Sequence, residues 1–129
     1  ISITADDQHL WVNTWNDGMT RVFDISNPHN AKEVYTHKIG DQVNMLSQSW
    51  DGKRVYFTSS LLANWDKADG PEKMPQFFKA YHYKDGKLEQ QFAIDFGAEK
   101  LGMPHQMRFG AYSLYAKSPK NEAIAELSK

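Results

Sequence analysis

The sequence of 129 residues contains no cysteine. This absence excludes disulfide bonds, thiolate metal ligands and a cysteine nucleophile within the chain. No apolar run approaches the roughly 20 residues that a membrane-spanning helix needs. Neither sign of charge is in excess, because 15 basic residues stand against 16 acidic ones. We therefore expect neither nucleic acid nor a membrane among the partners of this protein.

The residues that are present have the composition of a globular protein, with 40% hydrophobic and 24% charged residues. Aromatic residues make up 13%, which fits sheets that bury large side chains. Residues 1–4 have the pattern of a strand that is already under way, without an initiator Met or the pattern of a signal peptide. We therefore expect the chain to begin within a fold, with any targeting signal upstream.

Turn residues divide the first forty positions into short strands. The Asn16-Asp17-Gly18 run favours a tight hairpin, and the Ser26-Asn27-Pro28 run ends the next strand. This punctuation predicts four antiparallel strands in one meander, at residues 1–4, 10–15, 20–25 and 32–39.

The same pattern then repeats. Residues 4–12 match residues 49–57 at a spacing of 45, which is typical of propeller blades. Residues 21–25 match residues 79–83 at a larger spacing, so the second unit contains an insertion. The sequence therefore predicts an all-β chain: a fragment of a β-propeller with about two blades of four antiparallel strands. The predicted units are a blade at 1–43, a blade at 44–102 with an inserted loop at 61–75, and a closing strand and tail at 103–129.

Two blades leave two sheet faces without a neighbour, whereas a closed ring covers every face. We therefore expect the rest of a larger propeller to accompany this chain. The alternative that remains open is a β-sandwich of eight strands.

Six stretches of the sequence are similar to a known family: residues 6–12, 23–28, 51–61, 65–67, 95–102 and 105–109. They resemble the C-terminal third of the selenium-binding protein family, and the resemblance extends to about Tyr115. The Asp-Gly turns are common to propellers. The Trp65-Asp66-Lys67 stretch and the segment from Asp95 to Phe109 are far more specific to the family. The bacterial branch, which includes the methanethiol oxidases, is the more similar one.

The resemblance implies a propeller of about seven blades. It also implies a periplasmic, copper-dependent enzyme that converts methanethiol, oxygen and water into formaldehyde, hydrogen sulfide and hydrogen peroxide. The copper ligands proposed for the family are histidines, mostly in the N-terminal half. One belongs to a C-terminal His-x-x-Arg segment, which corresponds to His105 here.

The residues around His105 can also be considered without the family. Oxidation of a thiol by oxygen needs a redox metal or a flavin, and no Gly-rich dinucleotide motif is present. In an extended chain Met103, His105 and Met107 share one face, and Pro104 favours that extended conformation. Such a face suits Cu(I). The alternatives are that both methionines are packing residues, which we favour, and that the histidine is hydrogen-bonded scaffolding.

The insertion contains Trp65, Asp66 and Lys67. One interpretation is a lid over the end of the propeller, in which Asp66 or Lys67 orients substrate or a histidine that supports the metal ligands. The plainer interpretation, which we prefer, is a tryptophan plug beside a solvated charge pair. Asp6 and Asp51 are interpreted as turn residues whose carboxylates accept backbone N–H bonds.

Together these observations predict a copper-dependent oxidase of small thiols, located in the periplasm, with His105 as a metal ligand and with a small thiol and oxygen as partners. A homo-oligomer is left open. The competing hypothesis is a non-catalytic propeller that carries a thiol or selenium or serves as an interaction platform. A third hypothesis is an electron-transfer copper protein.

Overall fold

The computed structural model describes residues 1–59 and 74–109. Within these ranges, eight strands form two four-stranded antiparallel sheets, and a 3₁₀ helix spans Pro28–Asn30. Sheet 1 contains β1 (Ser2–Ile3), β2 (His9–Thr14), β3 (Met19–Asp24) and β4 (Lys32–Lys38). Sheet 2 contains β5 (Leu46–Gln48), β6 (Arg54–Thr58), β7 (Phe77–Lys84) and β8 (Lys87–Asp95).

Each sheet is a simple meander, in which every strand pairs with the next strand along the chain. The prediction of an all-β chain with two units of four antiparallel strands is confirmed. The sequence-based boundaries of the three units stay a prediction. Nowhere in residues 1–59 and 74–109 does a helix have the length and hydrophobicity required to cross a membrane.

The turn between the first and second strand is built in the same way in both sheets. The Thr4 hydroxyl donates to the Asp6 carboxylate, and its oxygen accepts the amide five residues further on. Ser49 and Asp51 make the same two bonds in sheet 2. The carboxylates also accept the amide two residues on, so the interpretation of both aspartates as turn residues is confirmed.

The third and fourth strands repeat as well. The pairing of β3 with β4 shifts between Val22 and Phe23, and the pairing of β7 with β8 shifts between Ala80 and Tyr81. These two bulges are 58 residues apart, which is the spacing at which residues 21–25 match residues 79–83. The alignment of the third strands is therefore confirmed at the level of register.

The two sheets pack face to face through aromatic side chains. Trp11 is only 1% exposed, and its ring lies edge-on to Tyr83 at 4.9 Å and 6.5 Å from the ring of Phe57. Burial of such rings provides the main stabilisation of a sheet interface. The buried cluster consists of Trp11, Val22, Ile39, Val43, Leu46, Val55, Phe57, Phe77, Tyr81 and Leu88.

The two sheets are equivalent units of the repeat, but each contributes a different face to this contact. Trp11 corresponds to Tyr56 in sheet 2 at the spacing of 45 residues, yet it packs against Phe57. Adjacent residues of a strand point to opposite faces, so the contact is head-to-tail. A head-to-tail contact continues into a ring or a helical array. This favours neighbouring propeller blades over a β-sandwich closed by its own two sheets.

We expect Trp11→Ala to destabilise the protein by about 3–5 kcal/mol, because it removes a fully buried ring from the contact between the sheets. Thermal unfolding of the protein measures the effect. Trp50, which is 62% exposed, provides the matched control. Its change to alanine should alter stability by no more than about 0.5 kcal/mol. Equal losses for the two variants would contradict the assignment of the sheet contact.

Gly18→Ala should be more harmful than Gly52→Ala, although both residues have a left-handed backbone with φ of +64° and +67°. At Gly52 a Cβ would meet no atom within 4 Å, so only the strain of about 1–2 kcal/mol applies. At Gly18 a Cβ would lie 2.3 Å from the carbonyl oxygen of Gly40. The backbone there must move, and the melting temperature should fall further. Similar melting temperatures for both variants would show that this close approach does not exist.

Candidate functional site

Residues 103–109 lie along the face of sheet 2 that points away from sheet 1. The Thr58 hydroxyl donates to the His105 carbonyl at 2.6 Å, and the Phe109 ring lies edge-on to Tyr56 at 5.5 Å. The contacts move back along β6 as the segment advances, so the segment runs antiparallel to that strand. It begins a third layer on the outer face of sheet 2.

The backbone of this segment is held at two points. The Ser47 hydroxyl donates to the Met107 carbonyl at 2.5 Å, in addition to the bond that the His105 carbonyl accepts. Carbonyls of residues i and i+2 that point the same way are typical of an extended chain. This agrees with the extended conformation that Pro104 predicts.

The same arrangement precedes sheet 2. The Asn13 side-chain amide donates to the Asn44 carbonyl at 2.9 Å. Asn13 corresponds to Thr58 at the spacing of 45 residues, and both side chains reach the next segment of the chain. His105 therefore occupies the place that Asn44 has two residues before β5. It lies where the first strand of a further sheet would begin.

Burial supports this correspondence. Val43, directly before Asn44, is buried, and so is Pro104, directly before His105. Leu46 and Met107 follow the two aligned residues at the same distance, and they are buried and half-buried. The two segments therefore dock on their sheets through the same positions.

His105 itself is exposed, whereas Pro104 is buried. Met103 is 36% exposed and Met107 is half-buried. An exposed histidine on an anchored backbone fits one ligand of a copper site. The described part of the chain holds no group of three or more His, Asp or Glu side chains able to hold a metal ion. A copper site at His105 thus needs ligands from beyond the described residues, and the ligand roles of His105, Met103 and Met107 stay predictions.

The base of the insertion lies at the same end of β6 as His105. Ser59 directly follows Thr58, and its hydroxyl donates to the Pro75 carbonyl at 2.6 Å and accepts the Phe77 amide at 2.9 Å. These two bonds close the ends of the insertion. Trp65, Asp66 and Lys67 lie outside the described residues, so the lid and the plug both stay predictions.

An open cleft of about 600 Å³ lies beside this base. It is bounded by the residues before β7 and by the chain that follows β8. Asp95 at its edge accepts the Ala98 amide at 3.0 Å, which closes a turn directly after β8. The lining residues are Met74, Pro75, Gln76, Asp95, Phe96, Gly97, Ala98, Lys100 and Gly102.

Lys79 joins the two sheets near the end of β6 at which the insertion begins. Its Nζ donates to the Ile39 carbonyl, which directly follows β4, and lies 4.6 Å from the centre of the Phe77 ring. Burial lowers the pKa of Lys79, and the nearby Asp41 carboxylate partly offsets that effect. The sequence pattern predicts Lys79 only as part of a strand. The feature that could have indicated this role is a positively charged residue at a position of β7 that faces the neighbouring sheet.

His37 on β4 lies near Lys79 of the other sheet. Its ring is stacked on Tyr35 at 6.0 Å, and its Nδ1 lies 3.2 Å from the Tyr35 hydroxyl. That hydroxyl also accepts the Leu88 amide at 3.0 Å, which ties sheet 1 to sheet 2. Burial lowers the pKa of His37, and the charge of Lys79 lowers it further. The hydrogen bonds of Lys79 and Tyr35 therefore join the sheets. The lowered pKa favours a neutral imidazole at His37.

The sequence of this chain is similar to those of known proteins. The sequence model of the 56 kDa selenium binding protein (SBP56) family matches residues 1–113. The chain is 55% identical to a methanethiol oxidase of Ruegeria pomeroyi over 116 residues, which cover 90% of this chain and 26% of that protein. It is 52% identical to a methanethiol oxidase of a Hyphomicrobium species over 124 residues, or 96% of this chain and 28% of the relative.

A solved structure shares the fold. The hypothetical selenium-binding protein from Sulfolobus tokodaii superimposes with a TM-score of 0.67 at 30% sequence identity. The match covers 75% of this chain and 25% of that one. The chain thus spans about a quarter of the length of the relatives it matches. The repeated four-stranded sheets and the family match over residues 1–113 together show that this chain belongs to the 56 kDa selenium-binding protein family.

Proposed function

We propose that this chain is part of a copper-dependent methanethiol oxidase. The observation that carries the proposal is the identity of 52–55% to two bacterial methanethiol oxidases over nearly all of the chain. Two proteins this similar over both sheets and the segment around His105 share the backbone that positions their side chains. The similarity to the bacterial branch also supports a periplasmic location.

The reaction proposed is methanethiol, oxygen and water to formaldehyde, hydrogen sulfide and hydrogen peroxide. The methyl carbon loses two electrons, the C–S bond breaks, and oxygen gains two electrons as it becomes peroxide. Copper, when bound, would supply the electron exchange that amino-acid side chains cannot perform. From this chain, His105 would hold the metal as one ligand.

The remaining ligands would come from further blades of the same propeller. The head-to-tail contact supports this proposal, because it leaves one face of sheet 1 and the opposite face of sheet 2 for other neighbours. On sheet 2 that face carries an aromatic row in which Tyr56 stacks on Phe78 at 5.8 Å, and Phe78 lies 5.9 Å from Phe92. Phe92 remains 47% exposed, which fits a surface that a further blade would cover.

The full-length protein that carries this chain should release formaldehyde, sulfide and hydrogen peroxide in equal amounts when methanethiol and oxygen are supplied. Removal of copper with a chelator should abolish all three products, and copper should restore them. Thiol binding without any product would instead support a carrier or binding protein. Redox cycling of bound copper without sulfide would support an electron-transfer protein. Either result would overturn the proposed oxidase.

His105→Ala should reduce the bound copper and lower the oxidase rate by at least about tenfold, because one imidazole ligand is lost. Metal analysis of the purified protein measures the first effect and sulfide release the second. His82→Ala is the matched control, since His82 is also exposed but lies on β7 in the pairing with Arg54. The control should keep its copper and its rate. Full copper content in His105→Ala would remove His105 from the proposed ligands.

A further inference from the structure

We propose that Thr58 is a positioning residue that sets the orientation of the His105 imidazole at the copper site. It would act through the hydrogen bond from its hydroxyl to the His105 carbonyl, 2.6 Å long. This inference rests on the proposed function, because it requires His105 to be a copper ligand.

Thr58 is itself fixed before it makes this bond. It is 2% exposed and ends β6. Its carbonyl accepts the Asn44 amide at 2.8 Å, and its amide donates to the Met45 carbonyl at 3.1 Å. The hydroxyl therefore belongs to a residue whose backbone N–H and C=O groups are both hydrogen-bonded. A donor held in this way can fix the group that it contacts.

The carbonyl of His105 belongs to the same residue as the imidazole. When that carbonyl is held, the backbone torsions of residue 105 are restricted, and so is the direction of its Cα–Cβ bond. Ser47 holds the carbonyl two residues further on, so the chain is anchored on both sides of residue 106. The side chain of this exposed residue is then attached to an anchored backbone rather than to a loose segment. Metal ligands need such support, because small errors in ligand direction weaken binding.

Thr58 is buried and faces no solvent, so its effect on copper would pass only through His105. This separates it from the methionines, which could contact the metal directly. Thr58→Val keeps the shape of the side chain and removes only the donor. Thr58→Ser keeps the donor and removes a methyl group. The two substitutions separate the hydrogen bond from packing.

Thr20 offers a matched control for the chemical change. It is a fully buried strand threonine, and its hydroxyl has no hydrogen-bond partner among residues 1–59 and 74–109. Thr20→Val therefore makes the same replacement in a buried strand without breaking a bond. Any effect of valine as such should be visible in this variant.

The experiment compares these variants and His105→Ala in the full-length protein. Cu(I) affinity is measured by competition with a chromophoric chelator, and the Cu(II) geometry by electron paramagnetic resonance. Thr58→Val should bind copper about tenfold more weakly and give a changed spectrum. Thr58→Ser and Thr20→Val should keep the affinity and spectrum of the unsubstituted protein. The melting temperature of the copper-free proteins shows that each variant is folded.

Unchanged affinity and spectrum in Thr58→Val, with copper lost in His105→Ala, would overturn the positioning role and leave the proposed oxidase intact. Full copper binding in His105→Ala would overturn both the positioning role and the ligand on which it rests. If Thr58→Val does not fold, Ser47→Ala tests the second anchor of the same backbone. It should weaken copper binding in the same direction, and an unchanged affinity there would also count against the inference.

Discussion

The contact of the Trp11 ring with Phe57 and Tyr83 is the interaction on which the rest of this structure depends. It joins two sheets that would otherwise each expose an apolar face to water, and neither four-stranded meander has another way to bury that face within the described residues. Because the contact uses opposite faces of two equivalent sheets, it also sets a direction. The docking of residues 103–109 on the outer face of sheet 2 continues in that direction.

The polar contacts between successive layers follow the same rule. At the end of the second strand in each sheet, a side-chain donor reaches forward to a backbone carbonyl of the next segment, from Asn13 in one case and from Thr58 in the other. An amide and a hydroxyl can serve equally, because each needs only one N–H or O–H group. Hydrophobic packing holds the layers together, and these bonds determine how far each new segment is shifted along its neighbour.

Much of this fold could be predicted from local signals. The Ser/Thr and Asp residues of the repeated turn specify hydrogen bonds that close within five residues, so their spacing of 45 is visible in the sequence. The third strands also aligned correctly, because in both sheets the extra residue of the bulge lies in the fourth strand and leaves the alternation of the third strand uninterrupted. Lys79 was not anticipated, since its role depends on a carbonyl 40 positions away. The candidate site is likewise only partly visible: the extended chain around Pro104 is a local property, but the exposure of His105 depends on how the segment docks.

The hydrogen bonds of Ser59 have a consequence for how this protein can vary. They join Ser59, which precedes the insertion, to Pro75 and Phe77 at its far end, so β6 and β7 stay in register whatever lies between them. The entropic cost of closing a flexible loop grows only slowly, by about 0.6 kcal/mol for each doubling of its length. Evolution can therefore lengthen, shorten or rewrite that stretch at little cost to the sheet. A change there would alter the chain that joins Ser59 to Met74, while β6 and β7 keep their pairing.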